Sequence, residues 1–170
     1  MAISMIRLRK LPGVYRPAIA ILWPSSNSLG FNFMLDVGAD IRADAPDLLK
    51  YALMGASYAR NGFGLVRPRV GLLNVGTEEH KGRLELKEAN DLISENVERG
   101  KYEYVGFVEG NDIPSSRVDV IVTDGFTGNI ALKTAEGTAK FLTDNLKKSL
   151  NKISLIFSYF SLKKFKDKLD

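Results

Sequence analysis

Apolar and polar positions along this 170-residue chain switch repeatedly between a period of two and a period near 3.6. Residues 17–23 and 31–37 read as strands, joined by the turn-rich loop Pro24-Ser25-Ser26-Asn27-Ser28-Leu29-Gly30. Helical spacing follows over residues 47–61, where Leu48, Leu49, Ala52, Leu53 and Ala56 share a face. Residues 68–74 form an apolar run suited to a buried strand, and residues 83–97 a helix with Leu84, Leu86, Ala89 and Leu92 turned inward. Residues 104–108 and 118–123 are further strands, and residues 126–150 a long helix bearing Ile130, Ala131, Thr134, Phe141 and Leu142. This alternation predicts an α/β fold, a largely parallel sheet sandwiched by helices.

Such sheets bind ligands outside the carboxyl ends of their strands. Three loops fall there: Asp36-Val37-Gly38-Ala39-Asp40, Asn74-Val75-Gly76-Thr77-Glu78 and Asp124-Gly125-Phe126-Thr127-Gly128-Asn129. Each combines Asp or Asn with glycine. One such loop is explained by turn chemistry alone, but three at corresponding places point to a shared cleft. In the third, a β-branched run ends in a carboxylate, and two glycines and an amide open a helix. The N–H groups and dipole of a helix start favour negative charge, so the junction is expected to hold an anion.

The formal charge of +4 is unevenly placed. Residues 139–170 hold eight lysines and three aspartates, while the other 138 residues carry 16 basic and 17 acidic side chains. A near-neutral body with a basic tail argues against a nucleic-acid-binding face. In the tail, Leu142, Leu146, Leu150, Ile153, Phe157 and Phe160 recur at helical spacing, and lysines flank the apolar run on both sides. Residues 151–170 are therefore expected to be a basic amphipathic helical arm of the same domain as residues 1–150, with Ile153–Asp170 as its contact surface. It suits an anionic membrane surface or a second subunit, and the two roles are compatible. Residues 1–10 resemble the last turns of a helix whose start is absent, which suggests a chain truncated at its beginning.

Composition removes several chemistries. The chain has no cysteine, hence no disulfide, thiolate nucleophile or cysteine metal site. The single histidine, His80, lies in a polar stretch without triad or metal-ligand spacing and reads as an exposed residue near a helix start. No Walker loop or dinucleotide G-x-G-x-x-G is present. The first ten residues lack a secretory pattern, and no segment reaches the ~20 apolar residues of a membrane span. The expected location is cytoplasmic, with peripheral attachment to the membrane's inner face.

Read in order, a set of segments resembles the bacterial phosphate acyltransferases of phospholipid synthesis. They are Leu11-Pro12-Gly13 with Arg16-Pro17-Ala18, Leu35-Asp36-Val37-Gly38-Ala39, Tyr51-Ala52-Leu53-Met54-Gly55 and the stretch from Pro68 to Gly76. Glu79-His80-Lys81-Gly82, Phe107-Val108-Glu109-Gly110-Asn111-Asp112, the stretch from Val120 to Asn129 and Leu132-Lys133-Thr134-Ala135-Glu136-Gly137 complete it. The resemblance implies an isocitrate/isopropylmalate dehydrogenase-like fold used as a homodimer. It implies a reaction in which a fatty acyl group leaves the thioester of acyl-carrier protein for inorganic phosphate. A membrane acyltransferase then consumes the acyl phosphate, and no metal or nucleotide cofactor is required. It also implies that the family's earlier Asn-Thr-Gly-Ala segment would precede Met1 and that its chain would continue beyond Asp170. Asp40 stands where the family usually has Asn.

For that reaction Lys81 and Lys133 are the candidate catalytic cations. Asp36, Gly38, Asn74, Gly76, Asp124, Gly125, Gly128, Asn129 and Glu136 are candidates for substrate binding, with Asp124 and Glu136 holding the donors in place. Arg16 and Arg69 read as structural. The alternatives are a truncated, non-catalytic relative that keeps only dimer or membrane contacts, and a decarboxylating dehydrogenase of the same fold. The second lacks the clustered metal-binding aspartates and arginine-rich pocket it would need.

Overall fold

A computed structural model describes residues 17–78 and 81–166; beyond residue 150 the only side chain described is that of Tyr159. The expectations for residues 1–10, Arg16 and His80, and for the side chains of the arm, lie outside the described residues. The chain divides into two compact units, the first ending at Ala131 and the second beginning at Leu132.

The first unit is a five-stranded sheet. Its strands are β1 (Ala20–Pro24), β2 (Phe31–Leu35), β3 (Arg69–Leu73), β4 (Glu103–Val108) and β5 (Val120–Val122). The spatial order is β1-β2-β5-β3-β4, with β1 antiparallel to β2 and every other pair parallel. The hairpin loop explains the exception, because two strands joined by so short a connection can only run antiparallel. The sheet is thus largely parallel, as expected, and β5 fills the gap between β2 and β3. A reversal of strand order of this kind opens a crevice at the carboxyl edge.

Helix α1 (Ala45–Phe63) packs across β2 and β5. Asp44 caps its start by accepting the Asp47 N–H at 2.9 Å, and Gly64 ends it in the left-handed region at φ 72°. Leu48, Tyr51, Ala52, Gly55, Ala56 and Ala59 form its buried stripe. Gly55 permits the close approach to the sheet, since a Cβ there would meet Val120 at 2.5 Å. Helix α2 (Leu84–Glu95) lies beside α1 and against β4, followed by the single turn α3 (Val97–Gly100). Its inward face is Leu86, Ala89 and Ile93. Leu84, expected inside, is 68 % exposed. Two residues before Leu86 it sits about 200° around the helix, on the solvent side.

The central strands are buried on both faces. Phe33, Leu35, Val70, Leu72, Val120 and Val122 join the helices in one core cluster. At the amino ends of the strands a polar network ties the sheet together. Asp119 receives Arg69 through two side-chain N–H groups at 3.0 and 2.8 Å and Asn27 Nδ2 at 3.0 Å. The bond to Asp119 raises the Arg69 guanidinium above its usual range, which fits the structural role expected of it.

Helix α4 (Gly125–Lys166) begins in the first unit and continues without a break through the second. Within the second unit Phe141, Leu142, Leu146 and Leu150 are all more than half exposed. Among the described residues no helix is long and apolar enough to cross a membrane.

Candidate active site at the carboxyl edge of the sheet

Two neighbouring strands, β2 and β5, each run into a buried aspartate, and the two aspartates are used differently. Asp36 is fully buried and accepts backbone N–H groups from Ile19, Gly38, Ala39 and Asp40 at 2.6–3.1 Å. Its carboxylate is committed to holding its own loop. That loop sits directly on the start of α4. A Cβ at Gly128 would lie 2.0 Å from the Asp36 carbonyl oxygen, and one at Gly125 would lie 2.7 Å from the Asp40 carbonyl oxygen. Asn129 Nδ2 reaches the Val37 carbonyl at 3.4 Å, and a Cβ on Gly38 would strike that same nitrogen.

The helix start is satisfied from within. Gly125 N–H bonds the Asp40 carbonyl at 2.7 Å, Thr127 N–H bonds Asp124 Oδ1 at 2.7 Å and Gly128 N–H bonds the Asp124 carbonyl at 2.9 Å. An anion approaching here meets an N-cap carboxylate in place of open donors. Asp36, Gly38, Gly125, Gly128 and Asn129 thus form a tight interlock, where the sequence pattern alone suggested a ligand cradle.

The open space lies one strand further along. A cavity of about 530 Å³ sits outside the carboxyl ends of β3, β4 and β5. Leu73, Leu86 and Ile113 give it an apolar floor, and Val75 and Ile130 form exposed parts of its wall. Four polar side chains line it: Asn74, Arg83, Asp124 and Thr127. Asp124, 2 % exposed, accepts an N–H of Arg83 and the Thr127 hydroxyl at 3.1 Å. Arg83 is more than half exposed and offers further donors at the mouth.

Asn74 is 7 % exposed. Its Nδ2 donates to the carbonyls of Gly76 at 3.0 Å and Lys81 at 3.2 Å, which fixes the orientation of the amide. Its Oδ1 has no donor and is the sole buried side-chain polar atom in that position among the described residues. A second cavity of about 410 Å³, between α1 and the β1–β2 hairpin, carries no charged side chain. Of these two cavities, only the first is lined by charged side chains.

The candidate cations are placed unequally. Lys81 lies beyond Gly76, where a Cβ would meet its Cδ at 2.5 Å. It pairs with Glu78 at 2.7 Å, and that carboxylate holds its ammonium above the usual range. Lys133 and Glu136 belong to the second unit and pair with each other at 2.7 Å, both largely exposed. Arg83 and Thr127 went unnoticed as candidates in the sequence. Arg83 follows the Lys81-Gly82 pair directly, and its lone position in a helix-opening sequence carried no motif. Among the described residues no cluster of three or more His, Asp or Glu could hold a metal.

The sheet is mostly parallel, and its cavity lies at the carboxyl edge near the strand switch point. EutD phosphotransacetylase from Staphylococcus aureus superposes with a TM-score of 0.63 over 81 % of this chain and 46 % of that one, at 18 % identity, a likeness of fold. The chain belongs to the fatty acid synthesis protein family, whose model matches residues 1–170. Proteins called phosphate acyltransferase are similar over its whole length: 68 % identical in Cereibacter sphaeroides, 67 % in Paracoccus denitrificans and 63 % in Ruegeria pomeroyi. The chain spans 48 %, 47 % and 47 % of those proteins, about half their length.

Proposed function

We propose that the chain carries part of the catalytic site of a phosphate acyltransferase, moving a fatty acyl group from an acyl-carrier-protein thioester to inorganic phosphate. The observation that carries this reading is the cavity itself, apolar in its floor and converging on Arg83, Asp124 and Asn74. Such a lining suits an acyl thioester meeting a phosphate.

The reaction balances without a cofactor. A phosphate oxygen forms a bond to the thioester carbonyl carbon, the C–S bond breaks, and the proton of monohydrogen phosphate ends on the departing thiolate. A thiolate leaves readily, so positioning and charge stabilisation are the main demands on the protein. Arg83 and Lys81 would hold negative charge, and Asn74 would orient substrate. Asp124 would fix Arg83, as its hydrogen bond does now. Asp36, Gly38, Gly76, Gly125, Gly128 and Asn129 would serve by shaping the loops around the cavity. Lys133 and Glu136 enter on the sequence resemblance alone.

The wider expectations extend the same reading. They are a fold shared with the isocitrate and isopropylmalate dehydrogenases, a homodimer, a membrane acyltransferase that consumes the product, and a cytoplasmic protein attached to an anionic membrane surface through its basic arm. The exposed apolar residues from Phe141 to Leu150 support a helix that is covered by a partner or a lipid surface. A second reading, a non-catalytic relative that keeps only dimer or membrane contacts, is favoured by the exposed apolar residues from Phe141 to Leu150.

Purified protein is incubated with acyl-carrier thioester and phosphate, and acyl phosphate is followed. Formation that falls at least about tenfold in Lys81→Ala supports the assignment. No product from the chain, with normal product from a full-length relative, favours the second reading. Undiminished product from Lys81→Ala in that relative removes Lys81 from the mechanism.

A further inference from the structure

We infer that Asn74 Oδ1 accepts the P–O–H proton of monohydrogen phosphate, so that the cavity selects a protonated oxyanion over unprotonated ones of the same shape and charge. This rests on the reading that phosphate occupies the cavity.

The argument begins with an unmatched acceptor. A buried carbonyl oxygen without a donor is costly, and native proteins rarely tolerate one without a use. Asn74 cannot relieve the mismatch by turning its amide over. Nδ2 faces two carbonyl oxygens, those of Gly76 and Lys81, and exchanging the atoms would set Oδ1 against both. The acceptor is therefore held in place by its own partner atom.

Gly82 supplies the second observation. At φ 94° it lies beside the amide, and a Cβ on it would come within 2.3 Å of Oδ1 and 2.9 Å of Nδ2. Glycine leaves that atom uncovered by any side chain at position 82. Both Gly82 and Asn74 line the cavity.

The remaining polar lining sets the ligand's character. Arg83 presents cationic donors suited to oxyanion oxygens, while Asn74 Oδ1 repels an unprotonated oxygen and attracts an O–H. A ligand that satisfies both carries anionic oxygens and one hydroxyl. Inorganic phosphate keeps an O–H at neutral pH; sulfate and monofluorophosphate do not. Binding through that hydroxyl would also turn an unprotonated oxygen toward the thioester, which makes Asn74 a positioning residue.

The test is calorimetric titration of the chain with inorganic phosphate, monofluorophosphate and sulfate at pH 7.5 (a value of about 7.5 keeps phosphate mainly dianionic). Monofluorophosphate matches phosphate in charge and shape and lacks only the donor. Phosphate is expected to bind at least about tenfold more tightly than either analogue. Asn74→Leu should bring the three ligands to within about twofold of one another by weakening phosphate alone. Gly82→Ala, which crowds Oδ1 from outside, should act in the same direction, and circular dichroism of both variants separates loss of the acceptor from loss of the fold. Equal binding of phosphate and monofluorophosphate by the unaltered chain overturns the inference while leaving phosphate in the cavity. Absence of phosphate binding overturns the underlying reading as well.

Discussion

Asp36 and Asp124 end adjacent strands of one sheet, each is buried, and each is followed within four residues by a glycine. Their surroundings differ in one respect that decides their roles. Asp36 accepts only backbone N–H groups, three from its own turn and one from Ile19, so the carboxylate is consumed by folding. Asp124 spends one oxygen on the helix start and the other on the Thr127 hydroxyl and on Arg83, a side chain at the mouth of the cavity. The first junction is closed and the second faces a cavity. On the proposed function, the same residue type at the same topological place serves the fold in one case and the cavity in the other.

The largest effect should come from forcing the closed junction apart. Gly128→Ala sets a methyl group against the Asp36 carbonyl at 2.0 Å, and no flexible side chain can yield there. A stability loss of about 3 kcal/mol or more is expected in urea denaturation. A loss below about 1 kcal/mol would mean that the interlock is loose and the contrast is false.

Next comes the open junction, tested through Arg83→Gln. Asp124 keeps its two bonds to Thr127, so the stability cost should stay near about 1 kcal/mol. Phosphate affinity should fall at least about tenfold in calorimetry. The reverse pattern, a large stability loss with unchanged affinity, would make Arg83 a structural residue like Arg69.

A smaller effect concerns the core beneath both junctions. Burial pushes the Tyr102 phenol up from 10.0 to about 12, and its hydroxyl donates to the Ile93 carbonyl. Tyr51 and Tyr104 are raised further, chiefly by burial, with Asp40 adding to the rise at Tyr51. Below pH 10 both folded and unfolded chains keep these protons, and pH has no leverage through them. Between pH 10 and 12 the unfolded chain ionises first, so it binds fewer protons than the folded one and stability falls as pH rises. Circular dichroism across that window should show alkaline unfolding that tracks tyrosinate absorbance. Tyrosinate appearing well before unfolding would mean that the core is open to solvent.

Much of the fold was legible because its signals are local. Strand alternation and helical spacing identify β2, β3, β5 and α1 within a few residues. Asp44 and Gly64, the actual caps of α1, lie just outside the range inferred from apolar spacing. Leu84 misled because apolar character was read without its angle around the helix. The site was legible only in part. Glycines at strand ends look alike whether they admit a ligand or a neighbouring loop. Gly125 and Gly128 prove to admit the Asp36–Asp40 loop. Asn74 and Asp124 were found from their loops. Arg83 carries no local signal, because it meets Asp124, 41 residues away in sequence, only in the folded chain.

Nuclear magnetic resonance of the labelled chain titrated with inorganic phosphate tests the contrast most directly. The account predicts that resonances of Asn74, Arg83 and Thr127 shift together along one binding curve while those of Asp36, Gly38 and Ala39 stay still. Saturable shifts centred on Asp36 through Asp40, with Asn74 and Arg83 unmoved, would contradict it and return the anion to the junction that the structure closes.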